Sequence, residues 1–304
     1  MGRKLNDDTK NIIETVNGFI SSANPSSLRF IFYRLVSLGL LENKKAHYVK
    51  IKNIILTARI RGDVEDDAIV DNKRTTHRPA SWAGLDDYME SVRQWYRRNF
   101  WIDQPKRVEI LVEKATVGEV LKVVAREYNV PLRISSGFYS RPFLSSIADD
   151  IADDGKPCAV GYVGDFDPSG FSIERAARQG NGELGTRRRE GILDIIEQRH
   201  RFDTGRITWT RIGVTDDDFK SLPVKARVPI KKDTVNGNGD PRSVAYEQQY
   251  GRYGFEVEAL SQDVLQNRVR AFIKANTKIG LWKAAEKKAK QDAAQLAKFC
   301  DSVA

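Results

Sequence analysis

Three carboxylates stand where a folded chain can bring them to one place. Glu113 directly follows the strand-like run Val108, Glu109, Ile110, Leu111 and Val112. Asp165 and Asp167 directly follow a second such run at 158–163, inside Gly164-Asp165-Phe166-Asp167-Pro168-Ser169-Gly170. Mg²⁺ and Mn²⁺ take hard oxygen ligands, and waters or substrate phosphates complete the shell. Three carboxylates at neighbouring strand ends meet that need. A bare Asp-x-Asp also serves in ordinary surface turns. Glu113 at a matching strand end is what turns the reading toward a divalent-metal site acting on nucleic-acid phosphates.

The elements around these residues alternate. After 108–112 the spacing predicts a helix over 117–128, a short strand from Pro131 to Ser135 and a helix over 141–153. A strand at 158–163, a helix over about 170–179 and a strand from Ile207 to Ile212 come next. Such alternation implies a parallel sheet with helices on its faces, an α/β domain of Rossmann-like type. Ligands of such sheets sit at the carboxyl ends of the strands. Later, 256–274 and 281–299 read as helices, and Val235 to Gly239 as a turn or mobile loop.

The first hundred residues read differently. Helices are expected over 8–22, 27–37 and 46–60, separated by the breaker Asn24-Pro25-Ser26 and by Gly39. The third places Val49, Ile51, Ile54, Ile55 and Ala58 inward, with Lys44, Lys45, Lys50, Lys52 and Arg59 on its other face. Three short helices ending in a basic one resemble a helix-turn-helix or winged-helix unit, with Asp63 to Trp82 as wing or loop. A further helix covers 85–99, and Asp103-Gln104-Pro105 marks a boundary. The expected domains are 1–104, DNA-binding, and 105–304, metal-binding with C-terminal helices.

Composition narrows the partner. A net charge of +9 favours a polyanion, and the distribution sharpens this. Residues 1–61 carry eleven Lys/Arg against four Asp/Glu, and residues 268–298 carry nine against two. Two cysteines, Cys158 and Cys300, and three scattered histidines argue against zinc and disulfide chemistry. No apolar run is long enough to span a membrane and the first residues lack a signal peptide's apolar core, so a cytoplasmic protein is expected, nucleoid-associated if its source is prokaryotic or phage.

The motifs carry a resemblance. Leu111-Val112-Glu113-Lys114 before a helix, then a strand and Asp-Phe-Asp-Pro-Ser-Gly, is similar to the Toprim domain of topoisomerases, primases and some nucleases. The Asp-x-Asp-Pro-x-Gly form resembles one branch, the topoisomerase VI A subunit and its relatives that make meiotic double-strand breaks. Gly137-Phe138-Tyr139-Ser140-Arg141 resembles that family's segment between the motifs, although its central residues differ. Trp209 to Thr215 and Phe255 to Leu260 resemble later segments. The resemblance implies Mg²⁺ or Mn²⁺ on Glu113, Asp165 and Asp167, and DNA contacts that include Arg141. It also implies a nucleophilic tyrosine in an arginine-x-x-x-tyrosine motif. Leu28-Arg29-Phe30-Ile31-Phe32-Tyr33 then makes Tyr33 the nucleophile and Arg29 its partner. Four residues apart, the two share a helix face, and a guanidinium can lower a phenol's pKa and bind the phosphate under attack.

The activity implied by the resemblance is Mg²⁺-dependent cleavage of double-stranded DNA by tyrosine transesterification. It implies a homodimer in which Tyr33 serves the metal site of a second protomer, and a compact stand-alone protein of the kind found in mobile elements. No Walker-type loop is present, so any ATP-driven step needs an unidentified ATPase or regulatory partner. By spacing alone Tyr33 reads as a core residue of an apolar run. That leaves open a metal-dependent nuclease using water, and a non-catalytic DNA-binding module. Gly180 to Gly185 matches a dinucleotide-binding pattern but comes after a helix, and reads as a polar loop. Trp95, Tyr96, Phe100 and Trp101 have chemistry for base stacking, or pack at the domain junction.

Overall fold

The computed structural model describes residues 7–22, 27–65, 68–69, 79–180, 190–221, 226–230 and 241–303. The breaker 24–26, the loop at 235–239, most of the Gly180 to Gly185 segment and most of the expected wing lie outside these residues. No described helix is long and apolar enough to cross a membrane.

Three helices open the chain: α1 (Asp7–Ser22), α2 (Leu28–Ser37) and α3 (Lys45–Arg61). Ser27 caps α2 by accepting the Phe30 N–H at 3.2 Å, a contact worth about 1 kcal/mol. The three helices bury Ile12, Val16, Ile31, Leu35, Ile51 and Ile55 in a core of their own. Phe30 turns the other way and joins the core of the α/β unit, so α2 belongs to both. Val49 does not point inward as its spacing predicts; it is exposed, and the inward stripe is Ile51, Ile55 and Ala58.

α4 (Leu85–Trp95) ends four residues earlier than expected and lies against the C-terminal helix α12 (Ile279–Val303). Tyr96 and Arg98 both reach Asp292, at 2.8 and 2.9 Å. Phe100 and Trp101 pack on Trp282, whereas Trp95 is 81% exposed.

The α/β unit is built on β1 (Arg107–Val112), β2 (Leu132–Ile134), β3 (Cys158–Val163) and β4 (Ile207–Arg211). All pairings are parallel, in the order β2-β1-β3-β4. Val108, Ile110 and Val112 enter one core; Leu111 enters the other, with Val160 and Tyr162 of β3. β3 is buried at every residue, as a parallel strand covered on both faces must be. α5 (Ala115–Tyr128) and α11 (Gln262–Ala275) pack together on one side. On the other side α8 (Ile192–Arg199) packs on α6 (Arg141–Asp154) and α7 (Pro168–Gln179).

α9 (Asp216–Ser221), the pair β5 (Val228–Pro229) and β6 (Tyr253–Gly254), and α10 (Pro241–Tyr250) complete the unit. The expected helix 256–274 is corrected at its start. Residues Val257–Ala259 form a 3-10 turn, and the α-helix begins at Gln262 after a Ser261 cap.

The strand order places a topological switch point between β1 and β3. The chain leaves β1 to pair β2 on one side, then returns to pair β3 on the other. Ligands of open parallel sheets bind in the crevice at that point, outside the carboxyl ends. Glu113 and Asp165 lie there.

Candidate metal centre

Val112 pairs with Val163, so the residues following β1 and β3 leave the sheet side by side. Glu113 Oε2 accepts the backbone N–H of Asp165 at 3.1 Å and the Tyr162 hydroxyl at 3.2 Å. This geometry needs glycine at 164, because a Cβ there would stand 2.5 Å from Glu113 Oε2. It needs glycine at 170 as well, where a Cβ would meet the Asp165 carbonyl oxygen at 2.3 Å. Asp167 caps α7, accepting the Gly170 N–H at 2.6 Å, and Pro168 opens the helix. The motif is thus a strand end, a tight passage and a helix cap in seven residues.

Phe166 exchanges two backbone hydrogen bonds with Phe255, at 2.8 and 2.9 Å. That bridge carries Glu256 and Glu258 into the site. The Val257 N–H donates to Asp165 Oδ1 at 2.8 Å. Carboxylate oxygens of Asp165, Glu256 and Glu258 come within 4.8 Å of one another, the one such trio of acidic, histidine or cysteine ligands among the described residues. The expected trio is therefore redistributed. Asp165 is shared by both sets, Glu113 sits beside it, Asp167 serves as a cap, and Glu256 with Glu258 replace the latter two in the tight cluster.

Lys114 occupies the centre. Its ammonium lies 2.7 Å from Asp165 Oδ2 and 2.8 Å from Glu258 Oε2, and it also bonds Glu256 Oε2. Glu258 has no exposed surface and accepts the Thr116 hydroxyl at 3.0 Å. Burial alone would lower the Lys114 pKa, but Asp165, Glu258 and Glu256 hold it well above its ordinary value. Burial pushes Asp165 and Glu113 up, with neighbouring carboxylates adding to both shifts and Lys114 opposing them. Glu256 is also raised by burial, yet Lys114 brings it below the usual range. One ammonium thus serves several carboxyl groups, and burial favours the protonated forms of Asp165 and Glu113.

Tyr33 and Arg29 reach this cluster within the same chain. The Tyr33 hydroxyl is 3.5 Å from Glu256 Oε1, and Arg29 Nε is 3.6 Å from Glu258 Oε1. Arg29 and Lys114 lie 5.5 and 5.7 Å from the Tyr33 ring centre. The phenol is not activated in this state. Burial first, then Glu256, push its pKa up to about 12, outweighing Arg29 and Lys114. The expected lowering by Arg29 is present but smaller.

A cleft of about 1140 Å³ runs between the helical unit and the strand ends. Arg29, Lys52 and Arg59 of the helical unit and Glu113, Asp165 and Asp167 of the α/β unit line it together, and Arg29 pairs with Glu258. Lys50 stands two residues from Lys52 on α3, about 200° around the helix, so the basic residues do not share one face. Lys45 and Lys50 are exposed away from the cleft, and Lys44 pairs with Glu42. Arg141 is engaged with Glu190 and lies outside the cleft lining.

Lys114, Thr116, Glu256 and Glu258 escape the sequence reading as site residues. The signal was present in the Glu-x-Glu of Phe255 to Leu260. A helix placed over 256–274 throws those two side chains about 200° apart and hides it. No protein-family model matches this chain, and neither does any curated protein.

Proposed function

We propose that this chain cleaves double-stranded DNA by metal-dependent transesterification, with Tyr33 as nucleophile, as the topoisomerase VI A subunit class does. One observation carries the reading. A tyrosine and an arginine four residues before it meet a cluster of carboxylates more than two hundred residues away in the chain. The winged-helix reading of α1 to α3 and the Toprim reading of the parallel sheet belong to this proposal. So does the reading as a homodimer, with a second protomer cutting the opposite strand. Within one chain Tyr33 lies beside Glu256, at 3.5 Å; service of a second protomer's metal site, which the resemblance implies, stays part of the proposal.

The donor set fits Mg²⁺ or Mn²⁺: hard carboxylate oxygens, close together, with cleft volume left for waters and a phosphate. Asp165, Glu256 and Glu258 would hold the ion, with Glu113 and Asp167 beside it. When bound, it supplies positive charge to the phosphate under attack. The remaining chemistry belongs to the chain. The Tyr33 oxygen attacks phosphorus, the phenol proton passes to Glu256, and the phosphorus–oxygen bond to the deoxyribose breaks. The sugar oxygen leaves and takes a proton from water. A tyrosyl phosphate ester retains the bond for resealing. Lys52 and Arg59 bind phosphates along the cleft, and Arg29 binds the phosphate under attack beside Tyr33.

Supercoiled plasmid incubated with Mg²⁺ tests this. Wild-type protein should give protease-sensitive protein–DNA adducts, and Tyr33→Phe should give none. Adducts that persist in Tyr33→Phe sink the mechanism. A second reading, hydrolysis by water, is favoured by the raised pKa of Tyr33, which keeps the phenol protonated. Under it Tyr33→Phe still cuts and no adduct forms with either protein.

A further inference from the structure

The oxygens that would hold a metal are already holding something. Asp165 Oδ1 accepts the Val257 N–H, and Glu258 Oε1 accepts the Thr116 hydroxyl. Glu256 Oε1 faces the Tyr33 hydroxyl at 3.5 Å, which leaves Asp165 Oδ2, Glu258 Oε2 and Glu256 Oε2 turned to the centre of the cluster. Those three are the atoms bonded to Lys114. An ammonium has three N–H donors, and here each has a carboxylate. A divalent ion needs the same oxygens at about 2.1 Å. Two cations cannot share three oxygens at those distances.

We propose that Lys114 is a resident counter-cation that competes with the divalent ion for Asp165, Glu256 and Glu258. This rests on the metal-site reading above. Lys114 holds the carboxylates together when no ion is bound, so the site is preassembled but loads metal weakly. The displaced ammonium has a place to go. Lys114 itself lines the cleft, as do Lys52 and Arg59, and its ammonium lies 5.7 Å from the Tyr33 ring centre. There it meets the phosphate that the cleft walls gather. A phosphate that accepts the displaced ammonium lowers the cost of metal loading, and linkage requires the metal to tighten nucleic-acid binding by the same factor. Lys114 is a positioning residue in this scheme: it acts on when the ion enters.

The measurement is Mn²⁺ binding to the full-length protein, by the electron paramagnetic resonance of free Mn²⁺, with thermal unfolding in parallel. Lys114→Met keeps an unbranched side chain one atom shorter and removes the charge; Lys114→Arg keeps the charge. Lys114→Met should bind Mn²⁺ about tenfold more tightly than wild type or more, and gain more melting temperature from it. Lys114→Arg should stay near wild type. A short oligonucleotide should tighten Mn²⁺ binding to wild type and do so less in Lys114→Met. If Lys114→Met needs Mn²⁺ to fold at all, that supports the competition, because the ion then replaces the lost ammonium. Equal or weaker Mn²⁺ affinity in a folded Lys114→Met overturns the competition and leaves the metal site standing. No Mn²⁺ binding by wild type and Lys114→Met alike overturns both readings.

Discussion

β1 carries a buried charge network near each end, and the two are built on opposite principles. Near its start, Glu109 has no exposed surface and is held by Arg107 at 2.6 Å and Arg133 at 2.9 Å. Asp150 and Asp154 complete the two guanidiniums, and Lys156 approaches Asp154. Three acids meet three bases. Past its end, Lys114 faces Asp165, Glu256 and Glu258, with Glu113 beside them and Arg29 at the rim. Here carboxyl groups outnumber cations. A balanced network is complete as it stands. An acid excess held in a cleft is an arrangement that another cation would improve, and it is kept at a cost in stability.

The contrast predicts opposite outcomes for neutral replacements. Asp165→Asn should reduce Mg²⁺-dependent DNA cleavage by roughly 10³-fold, as loss of a principal charge-stabilising group does. It should leave stability unchanged or raised in chelator, because burial already disfavours the charged form. Glu109→Gln should do the reverse. It strips a buried partner from two guanidiniums and should lose about 3 kcal/mol in urea unfolding. Its cleavage per folded molecule should match wild type. If both variants lose stability alike, the two networks are the same kind of object and the comparison fails.

These two regions were also unequally legible. The strand β3 follows from its apolar run without error, and β1 is missed by a single residue, because a strand buried on both faces leaves an unbroken signature. Their ends located Glu113 and Asp165. What escaped was supplied by tertiary pairing. The bridge between Phe166 and Phe255 pulls Glu256 and Glu258 out of an expected helix, and the Glu-x-Glu alone does not reveal that partner. Helix α3 failed for another reason. Its apolar residues occur almost all round the helix, so the spacing could not say that Val49 is exposed or that Lys50 and Lys52 diverge.

Acidity offers a further test. Asp165 and Glu113 have folded pKa values above their unfolded ones. Their contribution to stability is full below about pH 4 and is lost as pH rises through the raised values. Asp218 is the opposite case. Burial would raise it, but hydrogen bonds from Arg268 and Thr215 hold it below the usual range. Its contribution is present above about pH 4 and is lost as pH falls. Urea unfolding in chelator from pH 4 to 8 should therefore show a decline toward the alkaline side that Asp165→Asn flattens. Divalent ion should also flatten it, since binding requires the unprotonated carboxylates. A decline equally steep in Asp165→Asn would remove the acid excess as its source.

The smallest effects concern what the acid excess faces. A cleft with carboxylates on one wall repels a polyanion unless the other wall compensates. Lys52 and Arg59 are the cations of α3 that line the cleft with the acids, and Lys50 does not line it. Lys52→Ala and Arg59→Ala should each weaken binding to duplex DNA across sequences and lower the slope of log affinity against log salt by about 1. Lys50→Ala should leave that slope near the wild-type value. The distinction matters because net charge alone treats the three substitutions as equivalent. If Lys50→Ala lowers the slope as much as Lys52→Ala, then DNA is following the general basic surface of α3. The pairing of a basic wall with the acidic strand ends would then lose its part in recognition.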